Sequence, residues 1–424
     1  MTKNGKTIES TLNSDLCTGC GTCEGICPNS AIQMRKVKGI YVPILDAKMC
    51  NHCGICFQVC PGHSIDFRRL NSAIFGTDQE ETLMGNYLSC YVGHSTDPEI
   101  RRNSSSGGLV TGLLVFALEE GIIDGALVTK MSDASPLDPE VIIAKTRDEI
   151  IESSKSKYCP VPANVALKGI TGKNMRLATV GLPCHIEGIR KAEALNRQLA
   201  EKIVLHLGLF CNHTPTFLAT AYLLHKMGMK SEDVKKIDYR GGGWPGRMSV
   251  ELRNGEKKSV QYSNLYYWGH IFNTHFFTSR CILCNDKICE LSDISFGDAW
   301  HLLGSRIGKS IIVSRKETGE NLLQKASEKG QIEIEEVNAS QVLECQGIDL
   351  VERRHMARMS VFRKLGKDIP NYNKRISESR PLDYAAALMS YLRMHLSSKS
   401  QFWSLLDIYP LLMSRIRGSY DNLH

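Results

Sequence analysis

The sequence predicts a protein of mixed α+β and α/β class in three parts: a small cysteine-rich module, an α/β domain with a mixed sheet, and a mostly helical C-terminal tail. Three observations predict this order. Cysteines recur at regular spacing before residue 75, strand-like and helical patterns alternate between about 85 and 335, and helical periodicity dominates from 336 onward. Such alternation is typical of a sheet covered by helices. We therefore place domain boundaries at 1–75, 85–335 and 336–424.

Composition predicts an ordinary soluble globular protein of the reducing cytoplasm. Of the 424 residues, 42% are hydrophobic and 23% are charged. Sixteen cysteines without an apolar signal segment at the N-terminus disfavour disulfides. No run reaches the roughly 18 apolar residues of a membrane span. The formal charge of +7 counts every cysteine as neutral, and anionic metal–thiolate clusters would cancel much of it, so nucleic-acid binding is not indicated.

The cysteines of the N-terminal module have the spacing of bacterial ferredoxins. The run Cys-x2-Cys-x2-Cys-x3-Cys-Pro occurs twice, and in two-cluster proteins the fourth cysteine of each run ligates the other cluster. The spacing therefore predicts two [4Fe-4S] clusters, one on Cys17, Cys20, Cys23 and Cys60 and the other on Cys50, Cys53, Cys56 and Cys27. A zinc site or a disulfide framework is the alternative, which two complete copies with both prolines disfavour.

Apolar runs predict the elements of the two larger parts. Within the cysteine-rich module we expect short strands at 32–34 and 41–43, and we expect a polar connector at 76–100. In the second domain the patterns predict helices at 109–118, 163–170, 185–199 and 216–227, and strands at 122–129, 141–144, 177–180, 203–210, 237–239, 248–253, 293–296 and 311–314. Residues 384–395 are periodic and predict a helix in the tail.

A serine- and glycine-rich segment, residues 104–108 (SSSGG), leads directly into the predicted helix 109–118. Hydroxyl groups at a helix start can cap its free N–H groups, and the same N–H groups can bind a phosphate. Glycine also lets a ligand approach the backbone closely. Taken alone, the segment fits a phosphate-binding loop and a plain helix cap equally well.

Further cysteines predict a third metal site at the strand ends of the α/β domain. Cys184 follows Gly-Leu-Pro between a strand and a helix, where a positive helix terminus favours thiolate. Cys211 directly follows another strand, and carboxyl-end loops are where ligands bind in such sheets. Cys281-x2-Cys284 adds a close pair, so we expect a third [4Fe-4S] cluster, for which zinc is the alternative. Cys289 is an alternative fourth ligand. Inert thiols are expected at Cys90, Cys159 and Cys345.

The motifs resemble those of one family when their order and spacing are taken together. They are residues 101–108 (RRNSSSGG), 156–158 (SKY), 181–184 (GLPC), the Cys281-x2-Cys284 pair and 293–300 (DISFGDAW). The chain is similar, over about residues 85–335, to the beta subunit family of coenzyme F420-reducing hydrogenase and dehydrogenase, which includes hydroxymethyl chlorophyll a reductase. The resemblance implies FAD in the α/β domain beside a [4Fe-4S] cluster. It implies cluster ligation by Cys184, Cys211, Cys281 and Cys284, and FAD contacts from Ser105, Ser106, Gly107, Gly108, Lys157, Tyr158 and Asp298.

The function that this resemblance implies is that of an iron–sulfur flavoprotein oxidoreductase. Hydride would pass between FAD and a carrier such as coenzyme F420, and single electrons would pass through the clusters, without a protein nucleophile. The alternatives are a ferredoxin-dependent reductase of an organic substrate and a non-catalytic relay subunit of a larger redox complex. A redox partner protein or ferredoxin is expected as partner. Residues 402–416 are apolar with basic flanks, and we favour packing on the core over an interfacial membrane helix because Asp407 and Pro410 interrupt them.

Overall fold

A computed structural model describes residues 5–77, 83–170, 172, 174–261, 271–272, 274–300, 308–373 and 378–406. The helices are α1 Glu9–Asn13, α2 Thr22–Gly25, α3 Ile55–Gln58, α4 Phe67–Phe75, α5 Pro98–Asn103, α6 Leu109–Glu119, α7 Arg147–Glu152, α8 Pro183–Glu193, α9 Arg197–Lys202, α10 Phe217–Lys226, α11 Ser279–Ile282, α12 Glu317–Glu328, α13 Ala339–Gln346, α14 Ile348–Lys364, α15 Pro381–Ser397 and α16 Trp403–Leu406. The strands are β1 Ile32–Val37, β2 Ile40–Leu45, β3 Ser64–Ile65, β4 Ser89–Ser95, β5 Gly125–Met131, β6 Pro139–Ala144, β7 Leu177–Gly181, β8 Ile203–Leu209, β9 Val234–Asp238, β10 Arg247–Leu252, β11 Lys257–Gln261, β12 Ile294–Asp298, β13 Ser310–Ser314, β14 Ile332–Glu336 and β15 Asn371–Tyr372.

The N-terminal module is ferredoxin-like, with the antiparallel hairpin β1–β2 beside short helices that carry cysteines. Lys38 and Gly39 both have positive φ, as a two-residue hairpin turn requires. The strands predicted at 32–34 and 41–43 are confirmed, and each is longer than expected. Strand β3 pairs in parallel with β15, so the C-terminal tail returns to this module.

An eight-stranded mixed sheet in the order β14-β4-β13-β12-β8-β7-β5-β6 forms the second part, which confirms the predicted fold class. The four strands β12, β8, β7 and β5 are mutually parallel, so their carboxyl ends lie at one edge. Strands β9, β10 and β11 form a separate antiparallel sheet. Helix α6 is buried against the large sheet, and Leu113 and Ala117 have no exposed surface. This helix begins where it was predicted.

Several sequence-based expectations for these elements are wrong. Residues 76–100 are not a connector throughout, because β4 lies inside the sheet between β14 and β13. The helix predicted at 185–199 is two helices, and the Asn196 side chain accepts a hydrogen bond from Leu199 N that starts α9. The segment 163–170 contains a 3-10 turn, Ala163–Leu167, instead of an α-helix. Residues 122–124 precede β5, whose first residue is Gly125.

Helices dominate the described part of the tail, as predicted. The helix expected at 384–395 is α15, and α14 packs beside it. Of the apolar segment 402–416, residues from 407 onward lie outside the described residues. In the segments that the structure describes, no helix is both long enough and apolar enough to cross a bilayer. The boundaries at 75, 85 and 336 stay predictions.

A buried ionic network ties α8 to the sheet. Asp293 Oδ1 accepts from Arg190 Nη2 at 2.7 Å, and Asp293 Oδ2 accepts from the backbone N–H of His206 at 2.8 Å. Glu193 Oε1 lies 2.7 Å from His206 Nε2. Although burial opposes the shift, Arg190 and His206 hold the pKa of Asp293 well below its usual range. Burial and Arg190 act to lower the pKa of His206, but Glu193 and Asp293 raise it above its ordinary value. Two cations therefore face two anions.

Asp293→Asn should destabilise the fold by about 3–5 kcal/mol, because it leaves Arg190 and His206 buried with one carboxylate. The measurement is the denaturant midpoint of anaerobically purified protein. Asp124→Asn is the matched control, since Asp124 pairs at 2.8 Å with Arg176 on the surface. That variant should shift the midpoint much less, because exposed ion pairs contribute little. Equal shifts in the two variants would contradict the larger contribution to stability that we assign to the buried network.

Candidate metal centres and active site

The first thiol group of the N-terminal module contains Cys60 together with the first three cysteines of the other run. Burial raises the pKa of Cys17, and the Cys60 thiol is the next contributor. The same two causes, in the same order, raise the pKa of Cys20. Burial also raises the pKa of Cys23, and Cys20, Cys17 and Cys60 add to the shift. The fold therefore brings the fourth cysteine of the second run to the first run.

The second thiol group lines a common cavity in the same module. Its cysteines are Cys27, Cys50, Cys53 and Cys56. Burial raises the pKa of Cys56 to about 11, and the thiols of Cys53 and Cys27 act in the same direction. Cys27 thus lies with the second run, as Cys60 lies with the first. Both groups are crossed in the way that the ferredoxin spacing predicts.

The surroundings of these thiols fit iron–sulfur clusters. Thiols that crowd together away from water are held protonated by their neighbours, whereas a bound metal ion deprotonates a coordinating thiol outright. Backbone N–H groups also point at the sulfurs: Gly62 N lies 3.3 Å from Cys60 Sγ, and Ala31 N lies 3.3 Å from Cys27 Sγ. N–H bonds to sulfur stabilise the anionic ligand and influence cluster potential.

The third set of cysteines consists of Cys184, Cys211, Cys281 and Cys284. Strand register places the first two of them at the same level. Gly181 on β7 pairs with Gly208 on β8. Cys184 and Cys211 each follow these glycines by three residues, so both lie just beyond the carboxyl edge of the sheet. The side chain of His185 helps to fix the first of them, because its Nδ1 accepts from Leu182 N at 3.2 Å and its Nε2 donates to Val161 O at 3.0 Å. Burial lowers the pKa of His185 to about 4, so the ring is neutral.

The loop cysteines complete the third set. Cys281 lies in α11, whose first turn is capped by Thr278 Oγ1 accepting from Cys281 N at 3.3 Å. Cys211, Cys281 and Cys284 line a cavity of about 280 Å³. Burial raises the pKa of Cys184, and Cys20, Cys211 and Cys281 add to the shift. The third set therefore lies beside the first thiol group of the ferredoxin-like module.

The alternative ligand Cys289 lies in a different environment. Its side chain is fully buried against the backbone of β8, where a Cβ at Gly208 would come within 2.6 Å of its sulfur. Burial raises the pKa of Cys289, and Asp286 adds to the shift. Within the described residues, no three His, Cys, Asp or Glu side chains converge on one ion-sized point. A cubane cluster does not need such convergence, because each of its thiolates binds a different iron. Cys90 and Cys159 are buried, and Cys345 Sγ lies 2.8 Å from Trp300 O.

Asp298 lies at the same sheet edge, on the next strand. Phe296 on β12 pairs with Leu209 on β8, and Asp298 and Cys211 each follow this last pair by two residues at the carboxyl edge. Arg240 Nη1 donates to Asp298 Oδ2 at 2.6 Å. The guanidinium is buried, and its Cζ lies 5.5 Å from the centre of the Trp300 ring. The edge therefore carries cysteine thiols on one side and a buried ion pair with an aromatic wall on the other.

The serine- and glycine-rich loop reaches this edge from the opposite side. Ser106 Oγ donates to Lys309 O at 2.9 Å, and Gly107 N donates to Ser310 Oγ at 2.9 Å. Gly108, with φ 78°, is the N-cap of α6. A Cβ on Gly107 would lie 2.5 Å from Gly93 O, so this glycine permits close packing on β4. The close approach that was expected with a ligand is an approach to the sheet backbone at this residue.

The segment 155–158 contacts the serine- and glycine-rich loop, but the side chain of Lys157 turns inward. Ser156 N donates to Ser105 Oγ at 2.9 Å. Lys157 Nζ donates to the carbonyls of residues 153, 154 and 155, and burial lowers the pKa of Lys157 to about 7. Burial raises the pKa of Tyr158, on which Arg240 and Asp298 act in opposite directions, so its hydroxyl is near that ion pair. Ser105, Tyr158 and Asp298 thus lie in one region. The Lys157 ammonium is hydrogen-bonded to backbone carbonyls.

Sequence reasoning did not identify several residues of this region. Arg240 directly precedes the glycine-rich segment 241–246 (GGGWPG) and Trp244 lies within it, and the composition of this segment was a usable signal. Trp244 and Trp300 have ring centres 5.1 Å apart. The indole Nε1 of Trp244 and the Nε of Arg101 are buried, without a hydrogen-bond partner among the described residues. Buried donors of this kind fit a polar ligand.

Side-chain and backbone donors of the α/β domain bind the backbone around Cys20 and Cys60. Arg280 Nε and Nη2 donate to Gly62 O at 2.8 Å and to Pro61 O at 2.9 Å. Lys191 Nζ donates to Cys60 O at 2.6 Å. Asn164 N donates to Cys20 O at 2.9 Å. The polar contacts come from three separate elements, so the module is fixed on the α/β domain at the first thiol group.

A crossed dicluster module fixed on a mixed α/β sheet defines the class: the protein is an iron–sulfur oxidoreductase. Residues 16–63 match the 4Fe-4S dicluster domain. Residues 90–168 and 174–340 match the N-terminal and C-terminal parts of the coenzyme F420 hydrogenase/dehydrogenase beta subunit. The chain belongs to this family, as its motifs predicted.

Characterised relatives carry names from the same family. The coenzyme F420 hydrogenase subunit beta of Methanothermobacter thermautotrophicus is 34% identical over 267 residues, which is 60% of this chain and 88% of that protein. The coenzyme F420-dependent sulfite reductase of Methanocaldococcus jannaschii is 28% identical over 81% of this chain and 51% of that protein. A chain of the F420-reducing [NiFe] hydrogenase complex from Methanosarcina barkeri has a TM-score of 0.53 and 25% identity, over 69% of this chain and 98% of that chain.

Cys60→Ser and Cys27→Ser should damage different clusters. Each substitution should damage the cluster whose other three ligands come from the other cysteine run. We expect Cys60→Ser to alter the EPR signal of the cluster on Cys17, Cys20 and Cys23, because the Cys60 thiol lies beside these three. Cys27→Ser should alter the other signal, and it serves as the matched control. Assignment of the signals can use Cys20→Ser and Cys53→Ser. If Cys60→Ser and Cys53→Ser change the same signal, the crossed assignment is wrong.

Proposed function

We propose that this protein exchanges electrons between a two-electron carrier, coenzyme F420 or a similar molecule, and three [4Fe-4S] clusters, through an FAD at the carboxyl edge of the sheet. The proposed ligands of the third cluster are Cys184, Cys211, Cys281 and Cys284. FAD supplies the exchange between hydride and single-electron chemistry when it is bound. The relatives named as F420 hydrogenase and F420-dependent sulfite reductase support coenzyme F420 as the carrier.

The observation that supports this proposal is that Cys211 and Asp298 each lie two residues beyond Leu209 and Phe296, the last paired residues of the neighbouring parallel strands β8 and β12. A candidate cluster ligand therefore lies at the same sheet edge as the ion pair of the candidate flavin region. Electron transfer needs short distances, and adjacent strands supply one without any moving part. On its other side the third set adjoins Cys20, which extends the series of thiol groups into the ferredoxin-like module.

The residues around the ion pair of Arg240 and Asp298 fit a flavin nucleotide. Trp244, Trp300 and Tyr158 offer flat aromatic surfaces, and Arg240 offers a fixed buried cation beside them. The N-terminus of α6 and the buried Nε of Arg101 offer donors for the diphosphate. In this assignment Ser105, Ser106 and Gly108 lie toward the phosphates. The role of Gly107 is to pack the loop on the sheet, and Lys157 positions the segment by binding its carbonyls.

The second thiol group is the proposed exit to a redox partner. Cys27, Cys50 and Cys53 are only half-buried, whereas Pro28, Asn29, Asn51 and His52 around them are exposed. An electron partner can approach this end of the module closely. Relatives are named as subunits of hydrogenase and of F420-dependent formate dehydrogenase, so we propose that this chain also works with a protein partner, or with a ferredoxin.

Two substitutions at Ser105 separate a phosphate loop from a loop that only holds the segment 155–158. Ser105→Asp keeps an acceptor for the Ser156 N–H but adds a negative charge that repels a diphosphate, so flavin content should fall severalfold. Ser105→Ala removes the acceptor without adding charge, and it should retain most of the flavin. A purely structural role, through the bond to Ser156 N, predicts the reverse order of damage, with loss of stability in the alanine variant. The measurement is flavin per chain, together with the melting temperature.

Cys184→Ala tests the third cluster and the electron route together. Wild-type protein purified without oxygen should contain about twelve irons per chain and the variant about eight, following from four per cluster. Reduced F420 should bleach the iron–sulfur absorption of the wild type. In the variant it should bleach the flavin and leave the ferredoxin-like clusters oxidised, because the link between them is missing. Eight irons in the wild type would remove the third cluster, and no bleaching by reduced F420 would remove that carrier.

A further inference from the structure

The C-terminal helices form one wall of the cavity above the third cysteine set. Cys211, Cys281 and Cys284 line one side, whereas Val351, Arg354 and Arg358 of α14 and Ser390 and Arg393 of α15 line the other. The family match ends at residue 340, so both helices lie beyond it. The wall is therefore made by residues outside the matched region.

The wall carries three positively charged side chains, those of Arg354, Arg358 and Arg393. Arg354 and Arg358 are four residues apart on α14 and face the same cavity, an arrangement in which like charges destabilise a helix. Asp383 takes up part of this charge, at 3.5 Å from Arg354 Nε and 2.9 Å from Arg353 Nε. The carboxylate of Asp286, also in the lining, accepts from Glu290 N at 3.1 and 3.2 Å.

Arg358 contacts the cysteine loop directly. Its Nη1 lies 3.5 Å from the carbonyl oxygen of Ile282, a residue between Cys281 and Cys284. Burial and Arg354 lower the pKa of Arg358, whereas Cys284 raises it. The guanidinium is thus partly desolvated and faces a thiol that would be an anionic ligand. A buried cation in this position needs an anion, and a thiolate-ligated cluster is one.

We propose that Arg354, Arg358 and Arg393 form an arginine cap that raises the reduction potential of the third cluster. This inference rests on the third cluster of the proposed function. When that cluster accepts one electron its net charge becomes more negative by one, while the guanidinium groups stay protonated and no ligand is exchanged. Fixed positive charge close to the cluster stabilises the reduced form more than the oxidised form. The tail thereby biases electrons toward the cluster between the flavin region and the ferredoxin-like module.

The test is an EPR-monitored redox titration of anaerobically purified variants. Cys184→Ala identifies the signal of the third cluster by its loss. Arg358→Gln and Arg393→Gln remove charge from the cap, Arg358→Lys keeps it, and Arg363→Gln is the matched control on an exposed position of α14. At a fixed potential we expect each glutamine variant in the cap to lower the reduced-to-oxidised ratio of that signal about tenfold, which is 59 mV for one electron.

The outcomes separate a charge effect from a packing effect. A lowered ratio in both glutamine variants of the cap, with Arg358→Lys and Arg363→Gln near the wild type, supports the proposal. An unchanged ratio in Arg358→Gln and Arg393→Gln overturns it, as does an equal fall in Arg358→Lys or in Arg363→Gln. The two ferredoxin-like signals serve as internal references within each sample. A wild type with eight irons and no third signal would instead count against the proposed function.

Discussion

The register of the three parallel strands β7, β8 and β12 is the constraint on which the site depends. It brings Cys184, Cys211 and Asp298 to one edge although 114 residues separate the first from the last. Small residues are required where loops fold back over the strand ends. A Cβ on Gly181 would lie 2.8 Å from His185 Cβ, and one on Gly208 would lie 2.6 Å from Cys289 Sγ. A one-residue slip of either strand would separate the cysteines and turn their neighbours to the opposite face.

Charge buried below the sheet edge helps to hold this register. Arg190 comes from α8, the helix that begins beside Cys184, and His206 comes from β8, five residues before Cys211. Asp293 directly precedes β12 and joins both. The network therefore links the three elements that carry the site, at a place where no solvent can replace a missing partner. A balanced set of two cations and two anions makes such a link tolerable in the interior, because each group finds a hydrogen-bonded counterpart.

Sequence reasoning was strongest where the chemistry is local. The ferredoxin-like module could be predicted from spacing, because its cysteines lie within two short runs. The third set joins three distant segments, and only register shows that they meet. Strand β4 was missed because Gly93, His94 and Ser95 give it a polar end, although the strand lies inside the sheet. A glycine at position 107 is what close approach of a ligand would require, yet tertiary packing on Gly93 accounts for it. Arg280 gave no pattern, since a lone buried arginine is recognised only by its contacts.

The clamp of Arg280, Lys191 and Asn164 on the backbone of Cys20, Pro61 and Cys60 has a kinetic consequence. Free ferredoxins must find their donors by diffusion, and the frequency of productive collisions then depends on salt and on solvent friction. Here the fold itself holds the ferredoxin-like module on the α/β domain. The distance between the proposed third cluster and the proposed cluster at the first thiol group therefore does not vary with the solution. Viscosity and ionic strength would act only at the outer end, where the chain hands electrons to another molecule.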